Sequence, residues 1–306
     1  MDEWYLRCPD GCQIYVAELG EGPETVVVVH GGFGSEHSYL VPPVERLGLP
    51  HRFVFYDQRG SLRSPAPLET VSVDQHLADL ALLLARLDLD GVWLFGHSMG
   101  TFLSMMYGAQ DPGCVSGMVL VSPILPVVPL PAEFEEAQAA HVDAWQKRRE
   151  RAVAEELRRL DLDRDGLSDR EATWRSRIEF GGLNLSNVGR WRELSGGGGA
   201  FVNVEAGEKA GSTLPSSWDL RAPLSGVGSP ISVILGDSDW TAPEVCRELF
   251  SSVASAGVEV VGDAGHYVWI DQPLQFRMLV SRAFGREAAQ LGDGADRGAV
   301  TGDADV

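Results

Sequence analysis

Gly91-Val92-Trp93-Leu94-Phe95-Gly96-His97-Ser98-Met99-Gly100, continued by Thr101 to Gly108, is the stretch whose reading decides the fold. A short apolar run rich in β-forming residues meets a Gly-x-Ser-x-Gly pentapeptide, and beyond it Phe102, Met105 and Met106 recur at helical spacing. The pattern predicts a strand, a sharp turn and a helix. A serine at such a turn takes up a strained backbone conformation, so side chains at the flanking positions would collide with strand and helix; Gly96 and Gly100 remove them. Ser98 Oγ is then expected to stand clear of the sheet beside a helix N-terminus. The alternative is an ordinary serine in a glycine-rich turn, because the pentapeptide alone occurs by chance. The strand-turn-helix context favours a nucleophile.

The chain has 306 residues, 44% of them apolar, enough for one large α/β domain or a core with an inserted subdomain. A formal net charge of -19, with no Lys/Arg cluster to offset it, argues against nucleic acid or an anionic membrane as partner. Part of that charge comes from an Asp-rich C-terminal tail. Cys8, Cys12, Cys114 and Cys246 show no metal-ligand spacing with histidine, so no structural metal is expected. The first ten residues hold no apolar run of signal-peptide length, and no later segment is long enough to span a bilayer. A cytoplasmic protein with reduced thiols is the expectation.

Working outward, residues 3 to 18 alternate around Pro9-Asp10-Gly11 and predict an edge hairpin. Thr25 to Val29 is a β-branched run suited to a strand buried on both faces, and it ends in His30-Gly31-Gly32-Phe33-Gly34. Glycines at that place let backbone N–H groups approach a ligand, although a plain glycine loop reads the same way. A second strand, Arg52 to Tyr56, leads into Asp57-Gln58-Arg59-Gly60-Ser61, and Ser72 to Leu87 predicts an amphipathic helix. With Gly117 to Val121 as a further strand, the alternation implies a mostly parallel, doubly wound sheet.

The pattern breaks at the proline-rich run Pro123 to Pro131, read as a stiff linker. Helical segments follow at Ala132 to Leu160 and Asp169 to Phe180, with a glycine break at Gly196 to Gly199. Strands resume at Ile231 to Leu235 and Val258 to Val261, and a last helix spans Pro273 to Phe284. The expected organisation is a core of residues 1–123 and 229–286, an inserted helical cap at 124–228 and a disordered acidic tail at 287–306. Asp161 to Glu171 places oxygen ligands before a glycine as a calcium loop does. Ala172 stands where the closing bidentate glutamate should be, which favours a helix-capping turn.

Ser98, Asp239 and His266 occur in that order, each at the C-terminal end of an expected strand. A serine hydroxyl needs a base to accept its proton as it attacks, and His266 is the candidate; a buried structural histidine is the alternative. Asp239 would fix the imidazole tautomer and stabilise the imidazolium, with Asp237 as competitor for that role. The N–H groups of Met99 and Gly32 fit the donors needed by a developing oxyanion, Phe33 fitting less well as donor and facing the substrate instead. His30 and His97 are expected to orient backbone.

In these motifs the chain resembles the α/β-hydrolase superfamily, over residues 1–123 and 229–286. The resemblance favours Asp239 over Asp237, because Gly236-x-x-Asp239 with Pro243 four residues on is that family's arrangement. Within it, His30-Gly31-Gly32-Phe33-Gly34 and Asp57-Gln58-Arg59-Gly60 are similar to motifs of the proline iminopeptidase branch. Phe33 replaces that branch's loop proline, and His97-Ser98-Met99 replaces its Gly-Ser-Trp.

The resemblance implies a serine hydrolase working through an acyl-enzyme on a small molecule or short peptide, with no metal or organic cofactor required. It further implies an aminopeptidase whose cap binds the substrate amine: Arg177-Ile178-Glu179 resembles such a segment, making Glu179 the candidate anchor and Glu205 a distant second. The alternatives are an esterase, lactonase or acyl-transferring cyclase, or a binding protein on the same fold.

Overall fold

The computed structural model describes residues 1–89, 91–194 and 202–285; the expected glycine break at 196–199 and the acidic tail at 287–306 lie outside the described residues. The strands are β1 (Asp2–Arg7), β2 (Gln13–Leu19), β3 (Glu24–Val29), β4 (His51–Tyr56), β5 (Val92–His97), β6 (Val115–Val121), β7 (Val127–Val128), β8 (Trp218–Asp219), β9 (Ile231–Gly236) and β10 (Ala256–Val261). Eight of them form one sheet in the order β1-β2-β4-β3-β5-β6-β9-β10. Only the β1/β2 and β2/β4 pairs are antiparallel. The remaining neighbours run parallel, as the strand-helix alternation predicts.

The valine run explains why β3 is central. Val26 and Val28 pack into the layer on one side of the sheet, Val27 and Val29 into the layer on the other, and all are fully buried. On one face the helix Val73–Leu87 buries Leu77, Leu80 and Leu84, and Ser72 caps it by accepting the Gln75 N–H at 3.1 Å. At the sheet edge the expected hairpin closes through Cys8 N–H to Cys12 O at 2.9 Å, with Gly11 at φ +88°.

Between β6 and β9 lie the helices Ala132–Arg159, Asp169–Asn184 and Val204–Gly211 and a 3-10 segment, Val188–Glu193. The proline-rich run is more than a linker. Val127 and Val128 are the residues between Pro126 and Pro129 that keep an N–H, and they pair antiparallel with Asp219 and Trp218. Leu220 N–H adds a bond to Pro126 O at 2.8 Å, so the two ends of the insertion are stitched together. Leu220, Leu224 and Val227, assigned to the cap from sequence, are instead buried in the core cluster that contains Phe102.

The Asp161–Glu171 turn is a capping box: Ser168 and Glu171 bond reciprocally, while Arg164 pairs with both Asp161 and Glu171. Among the described residues no helix is long and apolar enough to cross a membrane.

Candidate active site

Ser98 sits between β5 and the helix Met99–Gln110 with φ +54° and ψ -125°, a region that L-residues rarely adopt. Its neighbours leave no room for side chains. A Cβ on Gly100 would lie 2.0 Å from the carbonyl oxygen of Val29, one on Gly96 2.8 Å from that of Gly100, and one on Gly31 2.8 Å from Ser98 Cβ. Both the N–H and Oγ1 of Thr101 donate to Ser98 O, at 2.8 and 2.6 Å, which fixes the turn from the helix side. Met99 is the first helical residue, so its N–H has no carbonyl one turn back and points out of the positive end of the helix.

His266 Nδ1 lies 3.0 and 2.9 Å from the two carboxylate oxygens of Asp239, and both residues are buried. Asp237, the competitor, is exposed and accepts a bond from Ser238 Oγ. His266 is also held by its backbone: its carbonyl oxygen accepts from Ser122 Oγ at 2.8 Å and from His97 Nε2 at 3.3 Å. His97 Nδ1 in turn accepts the Tyr39 hydroxyl at 2.8 Å, and Gly31 N–H donates to the same hydroxyl oxygen at 2.7 Å. Burial, reinforced by the neighbouring His266, holds His97 well below the usual histidine range, so it stays neutral with one nitrogen to donate and one to accept.

Ser98, His266, Gly32 and Phe33 line one cavity of ≈ 250 Å³. Phe180, Trp240 and Tyr267 complete much of its wall, and no carboxylate, lysine or arginine is among the described residues that line it. Phe33 stacks on His76 with ring centroids 5.2 Å apart.

Glu179 does not join this group. It lies on the exposed face of the helix Asp169–Asn184, paired with Arg175 at 3.0 Å one turn away. The helical step of one residue turns Phe180 to the cavity and Glu179 to solvent. Glu205 is also exposed, in the first turn of Val204–Gly211.

The Asp57-Gln58-Arg59 motif is spent on the fold. Gln58 N–H donates to His30 Nε2 at 3.0 Å, Gln58 Nε2 to His30 O at 2.7 Å, and Arg59 forks onto Asp79 at 2.8 and 2.7 Å. Glu36, His37 and Asp57 are close enough to share a cation. They are already engaged, His37 Nδ1 with Asp57 at 2.6 Å and Arg63 with Glu36 and Asp57 at 2.9 and 3.3 Å, and read as a closed structural cluster.

Sequence reasoning missed Tyr39, Phe180 and Trp240. For Trp240 a signal existed, its place beside the candidate acid. Tyr39 offered none, because its partner His97 is 58 positions away.

The α/β-hydrolase-fold family model matches residues 24–273. A putative 2-succinyl-6-hydroxy-2,4-cyclohexadiene-1-carboxylate synthase of Bacillus subtilis (strain 168) is 28% identical over 297 residues, covering 90% of this chain and 96% of the relative. A proline iminopeptidase of Heyndrickxia coagulans is 26% identical over 270 residues, covering 85% and 90%. Among solved structures, an esterase from Exiguobacterium antarcticum superposes with a TM-score of 0.68 at 20% identity, covering 92% of this chain and 98% of the other. Sheet order, glycine-flanked serine turn and family match agree, and the chain belongs to the α/β-hydrolase-fold family.

Proposed function

We propose that the protein is a serine hydrolase that cleaves a small ester or amide through an acyl-enzyme, with Ser98 as nucleophile, His266 as base and Asp239 as the acid that orients it. The observation that carries the reading is the hydrogen-bonded His266–Asp239 pair opening onto the same cavity as a strained, helix-capping Ser98. In the first half-reaction Ser98 Oγ bonds to the carbonyl carbon while its proton passes to His266 Nε2. The carbonyl oxygen becomes an oxyanion facing the N–H groups of Met99 and Gly32. Collapse breaks the bond to the leaving group, which takes the proton from His266. Water, deprotonated by the same base, then releases the acid and restores Ser98.

An aminopeptidase of the proline iminopeptidase type and an esterase or lactonase share this chemistry. The uncharged, aromatic wall and the outward Glu179 favour a neutral acyl group over one carrying an ammonium, hence the ester-type reading. The four thiols, none in a disulfide, support a reducing compartment such as the cytoplasm.

The test compares prolyl-naphthylamide with short-chain nitrophenyl esters, using wild type, Ser98→Ala and Glu179→Gln. Ester turnover that vanishes in Ser98→Ala and is unchanged in Glu179→Gln is expected. Dominant amide turnover that collapses in Glu179→Gln would restore the amine-anchored aminopeptidase.

A further inference from the structure

We infer that Trp240 is a positioning residue for the base, covering the face of His266 and holding its ring against Asp239, and that the inserted helix Ala132–Arg159 sets this contact. The inference rests on the serine-hydrolase reading above. The indole and imidazole rings are stacked, with centroids 3.8 Å apart and planes at 30°. The same residue also steadies the acid, because Trp240 N–H donates to Asp239 Oδ1 at 2.7 Å.

The helix grips this loop from outside. Gln138 Nε2 donates to Trp240 O at 2.8 Å, while Gln138 Oε1 accepts from Ala242 N–H at 3.0 Å. The amide nitrogen faces an acceptor and the amide oxygen a donor, so the orientation of the side chain is dictated by its partners. His141 Nε2 donates to Asp239 O at 2.7 Å, and Trp145 meets Trp240 edge-on at 6.1 Å. Residues 138, 141 and 145 follow the spacing of a single helix face, so one stripe of the insertion holds the acid, the indole and, through them, the base.

The charge on His266 changes during the reaction. Neutral imidazole becomes imidazolium as Ser98 is deprotonated, and the electron-rich face of an indole attracts the cation more than the neutral ring. Asp239 acts at the ring edge and Trp240 at its face, so the two effects are separable by mutation. The other groups facing the ring are His97, 4.8 Å away and kept neutral by burial, Tyr267 at 6.1 Å, and Ser98 across the cavity. His141 reaches only the acid's backbone. None of these is altered by changing Trp240.

The test is the separate measurement of kcat and KM on a short-chain nitrophenyl ester for wild type, Trp240→Phe, Trp240→Leu and Gln138→Leu, each checked by circular dichroism and by fluorophosphonate labelling of Ser98. Loss of the indole removes the surface that holds the ring and that faces the imidazolium formed as Ser98 attacks. kcat should fall about 3-fold in Trp240→Phe and about 10-fold in Trp240→Leu, with KM little changed. Gln138→Leu keeps the ring and frees its backbone, and should lower kcat by less. If Trp240→Leu fails to fold, the Phe and Gln138 variants decide. An unchanged kcat, or a loss confined to KM, in folded, labelled variants overturns this inference alone. Wild type that is not labelled at Ser98 overturns the nucleophile reading, and this inference with it.

Discussion

His97 Nε2 lies 3.3 Å from the carbonyl oxygen of His266, a residue 169 positions further along the chain. The histidine that precedes Ser98 thus braces the loop that carries His266, and the Tyr39 hydroxyl on its other nitrogen fixes the tautomer that makes this possible. His97→Phe keeps the ring volume and removes both bonds. Stability should fall by about 2–3 kcal/mol, read by urea unfolding, because a buried hydroxyl loses its acceptor. kcat should fall about 10-fold with little change in KM, since a base displaced by a fraction of an ångström still sees bound substrate. Because His97 is held neutral in the fold and protonates readily once unfolded, its contribution is present above about pH 6.5 and is lost as pH drops below it. The variant should therefore show a shallower decline in stability from pH 7 to pH 5 than wild type.

The glycine requirement of the serine turn can be separated from a general dislike of side chains. Gly100→Ala drives a methyl to 2.0 Å from Val29 O, a contact that only backbone movement relieves. We expect a loss of about 3 kcal/mol or more and no fluorophosphonate labelling of Ser98. Gly113, which has nothing within 4 Å of an added Cβ, is the control. Gly113→Ala should stay within about 0.5 kcal/mol of wild type and label normally.

These two cases also show why parts of the molecule were legible in the sequence and others were not. The serine turn is constrained at consecutive positions by sterics, so Gly96-His97-Ser98-Met99-Gly100 carries its own geometry. The valines of β3 are buried on both faces and therefore advertise a central strand. The placement of Glu179 depends on helix phase within one residue, which the segment's sequence does not fix: Phe180 turns inward and the carboxylate outward. The β7–β8 pairing escaped notice because two-residue strands carry no periodicity, and Val127 meets its partner Asp219 far along the chain. Leu220, Leu224 and Val227 lie on and beside the helix Arg221–Ser225, which is too short to show the amphipathic pattern that would join them to the core.

Asp57 predicts a specific acid lability. Burial opposes its ionisation, but hydrogen bonds from the His37 side chain and the charge beside it bring the carboxyl down to about 2, below the unfolded value of 3.8. A depressed carboxylate contributes stability above its unfolded pKa and loses it as pH falls through the folded one. Asp57 should supply about 2 kcal/mol at neutral pH that disappears between about pH 4 and pH 2. Unfolding free energies measured across that window should fall less steeply in Asp57→Asn than in wild type. Parallel slopes would show that His37 and Arg63 do not hold the carboxylate.

Arg59 raises the question of whether its motif binds substrate or builds the fold. Its side chain is fully buried, forks onto Asp79 at 2.8 and 2.7 Å, and uses its remaining nitrogen on Asp10 at 2.5 Å. A lysine is a point charge and cannot reproduce the fork, so Arg59→Lys should lose about 2–4 kcal/mol. Asp79→Asn, which leaves the buried guanidinium short of its main counter-charge, should lose about 3–5 kcal/mol. Asp10 is partly exposed, and Asp10→Asn should lose less than about 1 kcal/mol. In each variant the surviving folded fraction should turn over ester with unchanged KM, because the arginine does not line the cavity that holds Ser98. Urea unfolding and steady-state kinetics on the same preparations separate the two roles: a rise in KM at wild-type stability would reassign Arg59 to the substrate.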